Sequence, residues 1–126
     1  MTADAHFASA SRLMLVNFGG LVALFIMGMV KAGDGLSPEI NMFLGVLMSL
    51  AALPIILTSV TTAGWARWTS LALAALFTAL HAWHIAAEHG PQGDTPENIL
   101  IVVTMLVPSA LAVWQLWNAK ADPGGL

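Results

Sequence analysis

Four apolar stretches dominate this sequence, each close to the roughly 20 residues a helix needs to cross about 30 Å of hydrocarbon. They run from about Leu13 to Val30, Ile40 to Val60, Thr69 to Ala87 and Ile99 to Trp117. In lipid every backbone N–H and C=O must be satisfied within the chain, so only helices and closed barrels can span. A barrel strand alternates apolar and polar residues, whereas these stretches are apolar on all sides. Composition points the same way. The chain is 58% hydrophobic and 9% charged, against about 25% charged for a soluble domain. A globule of 126 residues leaves too much of its surface wet to hide that apolar content. The expected fold is an all-α membrane protein, one domain over residues 1–126.

The connectors carry turn chemistry. Gly33-Asp34-Gly35-Leu36-Ser37-Pro38 separates the first two spans, and Gly90-Pro91-Gln92-Gly93-Asp94 the last two. Glycine reaches positive φ there, and proline cannot continue a helix. The link from Thr61 to Trp68 is less polar, with Gly64 as its only strong breaker. Connectors this short make neighbouring helices antiparallel, which predicts an up-down four-helix bundle. The first span is also open to reading as a signal peptide with Arg12 in its n-region. Its apolar run exceeds the usual h-region of about 7–15 residues, which favours a retained span.

Charge predicts an orientation. Arg12, Arg67 and Lys120 fall at one end of a four-span topology, and Lys31 alone at the other. The positive-inside rule then places both termini in the cytoplasm. Trp65, Trp68, Trp114 and Trp117 gather at the same end, as an interfacial belt would. A bacterial inner membrane is the expected location. Lys31 is free to snorkel to the headgroups or to pair with Asp34.

Helices in lipid associate through close packing at small residues. Ala75, Ala79, Ala82 and Ala86 follow an i, i+4, i+7, i+11 pattern on the third span, and Gly45, Ser49 and Ala52 form a shorter stripe on the second. These are the expected packing faces. Pro54 and Pro108 lie mid-span and free the carbonyls of Leu50 and Thr104, so bends are expected there.

The one stretch with chemical content is His81-Ala82-Trp83-His84-Ile85-Ala86-Ala87-Glu88-His89. His81, His84 and Glu88 fall within about 60° of one another on a helix. That spacing lets two imidazoles and a carboxylate converge on one metal ion. His81 would lie about 9 Å inside the end of its span, counting 1.5 Å per residue from Ala87. Ionisable groups at such depth usually mark a functional site. Met27, Met29, Met42 and Met105 fall in the same half of the membrane and are candidate soft ligands. Imidazole with thioether suits copper, and a His/Met pair suits haem iron. Haem held by two histidines from different helices would require a homodimer, because the other apolar spans contain no histidine.

Several classes are excluded. Without cysteine there is no disulfide, thiolate zinc site or Cys nucleophile. The net charge of −3 with no basic run argues against nucleic acid. No Ser/His/Asp set lies inside the spans, and no lysine lies mid-membrane. The expected role is a non-enzymatic accessory or assembly subunit, partnered by other membrane subunits or by copies of itself. A copper- or haem-binding redox protein and a small oligomeric transporter are the alternatives.

Overall fold

A computed structural model of the protein describes residues 3–33, 37–89 and 96–119; the side chains of residues 3, 31, 32, 88 and 89 lie outside that description. The expected Lys31–Asp34 pair, the Gly90–Asp94 turn and Lys120 therefore fall outside it.

Helix α1 covers Ala3–Ala32, α2 covers Pro38–Val60 and α3 covers Gly64–His84, extended by a π-helical turn at Ile85–His89. The last span is α4 (Pro96–Ile101), a second π-helical turn (Val102–Leu106) and α5 (Val107–Asn118). All four spans are long and apolar enough to cross a membrane. The protein is an all-α, up-down four-helix membrane bundle.

Local chemistry sets the helix ends. Gly33 has φ +70 and donates its N–H to the Met29 carbonyl at 3.3 Å, which closes α1 with a left-handed residue that glycine tolerates. Ser37 caps α2 by accepting the Ile40 N–H at 3.3 Å, with Pro38 in the first turn. At its far end α2 stops where Thr61 turns extended, at φ −155.

Helix α1 begins ten residues before Leu13, where the uninterrupted apolar run starts. The reason is a buried stripe that ignores that boundary. Phe7, Ala10, Met14, Asn17 and Leu21 follow helical spacing on one face of α1, and all are buried. This extension brings His6 into the first helix, so the first span does contain a histidine.

Each helix packs on its two neighbours around a ring: α1 on α2 and α5, α3 on α2 and α5. That leaves α1 and α3 diagonally opposed. The core joins Phe7, Met14 and Leu21 of α1 to Ala51 of α2, Ala74 and Phe77 of α3, and Ile101, Met105, Ala112 and Leu116 of the last span. At Gly20 the last span comes so close that a Cβ would lie 2.8 Å from Met105 Cγ and would overlap the Thr104 hydroxyl.

Pro54 is buried within an unbroken α2. Pro108 follows the π-turn directly. Having no N–H, it leaves the Thr104 carbonyl without its α-helical donor, and the Val107 N–H reaches back to Val102 instead.

The inward face of α3 is not the alanine stripe. Ala66, Ser70, Ala74, Phe77 and His81 are buried, while Ala75, Ala79, Ala82 and Ala86 are exposed on the outside of the bundle. Gly45 and Ser49 of α2 are exposed too, and Ala52 is half-buried. The arrangement has a physical cause. Phe77 brings bulk that fills the centre, and His81 brings polar atoms that lipid cannot satisfy, so this face turns inward. Alanines on the outside cost little, because lipid solvates them as well as protein does.

Candidate functional site

At the bundle centre one hydrogen bond crosses the diagonal. His81 Nε2 donates to Asn17 Oδ1 at 2.8 Å. Both residues are buried, Asn17 completely. Asn17 is the midpoint of the Asp4–Val30 span, about 20 Å from either end at 1.5 Å per residue. Inside the bundle neither side chain reaches solvent, so a histidine and an amide gain most by satisfying each other. Phe77 holds the imidazole from one side, with ring centroids 5.8 Å apart and planes tilted by 30°. The Asn17 Nδ2 and the Ser70 Oγ are buried and make no hydrogen bond among the described residues.

A second polar contact ties the same helix to α5. His6 Nδ1 and Gln115 Oε1 lie 2.5 Å apart. His6 precedes Asn17 by eleven residues of one helix, about 16 Å along its axis. The two inward histidines, His6 and His81, are therefore too far apart to ligate one iron within a single chain.

The residues of the expected metal face have different surroundings. His81 points inward and is held by Asn17. His84 is half-buried one turn further on, and the side chain of Glu88 is outside the description. Among the described residues no group of three His, Asp or Glu side chains is placed to hold a metal ion. The methionines also diverge. Met105 is in the core, Met27 is half-buried, and Met29 and Met42 are exposed.

The end of the bundle that carries the tryptophans is fastened by Arg67. Its Nε donates to the Leu116 carbonyl and its Nη2 to the Trp117 carbonyl, both at 2.7 Å. These are carbonyls of the last turn of α5, which have no helical donors of their own. The guanidinium lies 4.6 Å from the Trp68 ring centre, and Trp68 meets Trp117 edge to face at 6.2 Å. The four belt tryptophans are exposed.

Sequence reasoning missed the partner of Asn17 and missed His6 altogether. A signal for both was present: Asn17 lies on the same helical stripe as Phe7, Ala10, Met14 and Leu21. Extending that stripe backwards would have brought the histidine in. No family model, curated protein or solved structure matches this chain.

Proposed function

We propose that this protein is a non-enzymatic membrane subunit that assembles laterally, with copies of itself or with other membrane subunits, through the outer face of α3. The observation behind this reading is the placement of Ala75, Ala79, Ala82 and Ala86 on the lipid-facing side of α3. Small residues at that spacing let a second helix approach closely. The interior favours the same reading, because the central polar groups serve to join α1 to α3. A metal or haem role for His81, His84 and Glu88 would use the Nδ1 of His81, since its Nε2 donates to Asn17. The distribution of Arg12, Arg67 and Lys120 against Lys31 supports cytoplasmic termini in a bacterial inner membrane.

The test is cysteine crosslinking in native membranes, simple here because the chain has no cysteine of its own. An Ala79→Cys variant is expected to give a discrete disulfide dimer, or a bis-maleimide adduct with one defined partner. Leu111→Cys, at an exposed position on the last span and so outside both stripes, serves as the control. Monomer alone at Ala79, or equal crosslinking at both positions, overturns the reading. Metal analysis of the same purified sample addresses the alternative: stoichiometric copper or haem would replace the proposal.

A further inference from the structure

The two halves of the bundle are packed differently, and α2 shows it most. Toward the tryptophans α2 is pinned to α1, where Ser11 Oγ lies 3.0 Å from Ser59 Oγ and 3.4 Å from the Ile55 carbonyl oxygen. The buried residues of α2 are Ala51, Pro54 and Thr58. Nothing in residues 38–50 of the same helix is buried. Residues 38–43 are all exposed, a run that covers every side of the helix at 3.6 residues per turn. This stretch rests on the core through half-buried Leu47 and Leu50. A Cβ added at Gly45 would meet nothing within 4 Å, and the same holds at Gly28 of α1. Among the described residues, α1 has no buried side chain beyond Leu21 and α3 none beyond His81. The last span differs, since Asn98 and Ile101 remain buried in that half.

The point where burial of α2 stops is also its weakest backbone point. Pro54 has no N–H, so the Leu50 carbonyl lacks its α-helical donor. Leu50 is the residue just before buried Ala51. Counting six residues from the Ser11–Ser59 contact along each of these antiparallel helices brings Asn17 level with Leu53. The weak point therefore lies at the depth of the His81–Asn17 bond. Pro108 creates a similar defect in the last span, but Ile101 and Met105 anchor the segment beyond it. Sharp changes of helix direction occur at such proline sites, and segments with few buried contacts move at the lowest cost. Ile40, Met42, Phe43 and Val46 are exposed on this part of α2, and lipid solvates them equally well in any position.

We infer that residues 38–50 form an arm hinged between Leu50 and Pro54, which swings away from and back against α1 and α3. Helix α2 stands between α1 and α3 in the ring, so the arm is the wall that joins them in the half away from the tryptophans. With the arm swung out, the flanks of α1 beyond Leu21 and of α3 beyond His81 are reachable from the membrane. With the arm in, they are covered. His81 and Asn17 lie level with the hinge and stay bonded in both positions, as the floor of the opening. The half of α2 held by Ser11 does not move.

The experiment is double electron–electron resonance on spin-labelled cysteine pairs of the full chain in lipid nanodiscs. The labelled positions are all exposed. Met42→Cys with Trp83→Cys measures the arm against α3. Ile56→Cys with Trp65→Cys joins the same two helices on the other side of the hinge. Ile99→Cys with Trp83→Cys joins the last span to α3 at the arm's end of the bundle. The arm pair is expected to give two distance populations, or a distribution about twice as broad as either reference, as hinge motion trapped by freezing would. Adding Pro54→Ala returns a donor to the Leu50 carbonyl. It is expected to narrow the arm distribution to the reference width and to leave the Ile56 and Trp65 pair unchanged. An arm pair as narrow as the references overturns the inference. So does an equally broad pair at Ile99 and Trp83, or a breadth that Pro54→Ala does not reduce. Should Pro54→Ala fail to fold, the three distributions in the chain that keeps Pro54 decide the matter.

Discussion

Asn17 stands at the midpoint of α1, where an amide must find its partner in protein. It finds one at His81, across the diagonal of the bundle. Interhelical hydrogen bonds in membranes average about 0.6 kcal/mol and reach about 1.7, because the unpacked helices also find partners. A double-mutant cycle on Asn17→Ala and His81→Ala, read by reversible detergent unfolding, is expected to give a coupling within that range. Additive losses would show that the two side chains do not support each other. Gly20 gives a sharper steric test. A methyl group there meets the Thr104 side chain and Met105 Cγ, so Gly20→Ala is expected to destabilise the bundle by about 1–3 kcal/mol, the usual range for overpacking. Adding Thr104→Ala should recover part of that loss. A Gly20→Ala variant as stable as the parent would contradict the close approach of the last span to α1.

At the scale of the helix, Arg67 works as a remote cap. It supplies two donors to the frayed end of α5 from a different helix. Arg67→Lys keeps the charge but loses the planar fork that reaches two successive carbonyls at once. Both Arg67→Lys and Arg67→Ala are therefore expected to speed hydrogen exchange of amides near Leu116 and Trp117, with little change at Ala74 or Phe77. Unchanged exchange at the end of α5 would refute the capping role.

The helices themselves were legible from the sequence because lipid imposes one rule on every residue of a span. Length, apolarity and turn residues then suffice to count the spans. The true start of α1 was not legible from apolarity alone, since Ala3–Arg12 is held by packing of Phe7 and Ala10 inside the bundle. Which face of α3 turns inward was not legible for a related reason. A stripe of alanines says that a helix can approach there, but not which helix. Phe77 and His81 decide which side turns to the centre. The His81/His84/Glu88 pattern was legible as a shared helix face, yet the partner of His81 lies 64 residues away in the chain, where periodicity within one span does not reach.

For the whole molecule, the two faces of α3 separate folding from assembly. Even the most enclosed span, Pro96–Asn118, has only 33% of its apolar window buried within the chain. Most of the bundle's apolar surface therefore meets lipid or other helices. A substitution in the buried seam and one in the outer stripe should have opposite consequences. Ala74 is fully buried, so Ala74→Leu is expected to overpack the core and lower resistance to unfolding by about 1–3 kcal/mol. Ala79 is exposed, so Ala79→Leu should leave unfolding of the monomer within about 0.5 kcal/mol of the parent, as surface changes usually do. If the outer stripe is an assembly face, the same Ala79→Leu change should weaken the oligomer by pushing the partner helix away, since close approach at small residues is what holds it. Energy transfer between labelled copies in liposomes, measured against dilution in lipid, reads that loss directly. An oligomer unchanged by Ala79→Leu but lost with Ala74→Leu would mean that association only follows the fold of each bundle, and α3 would then have no separate outer function.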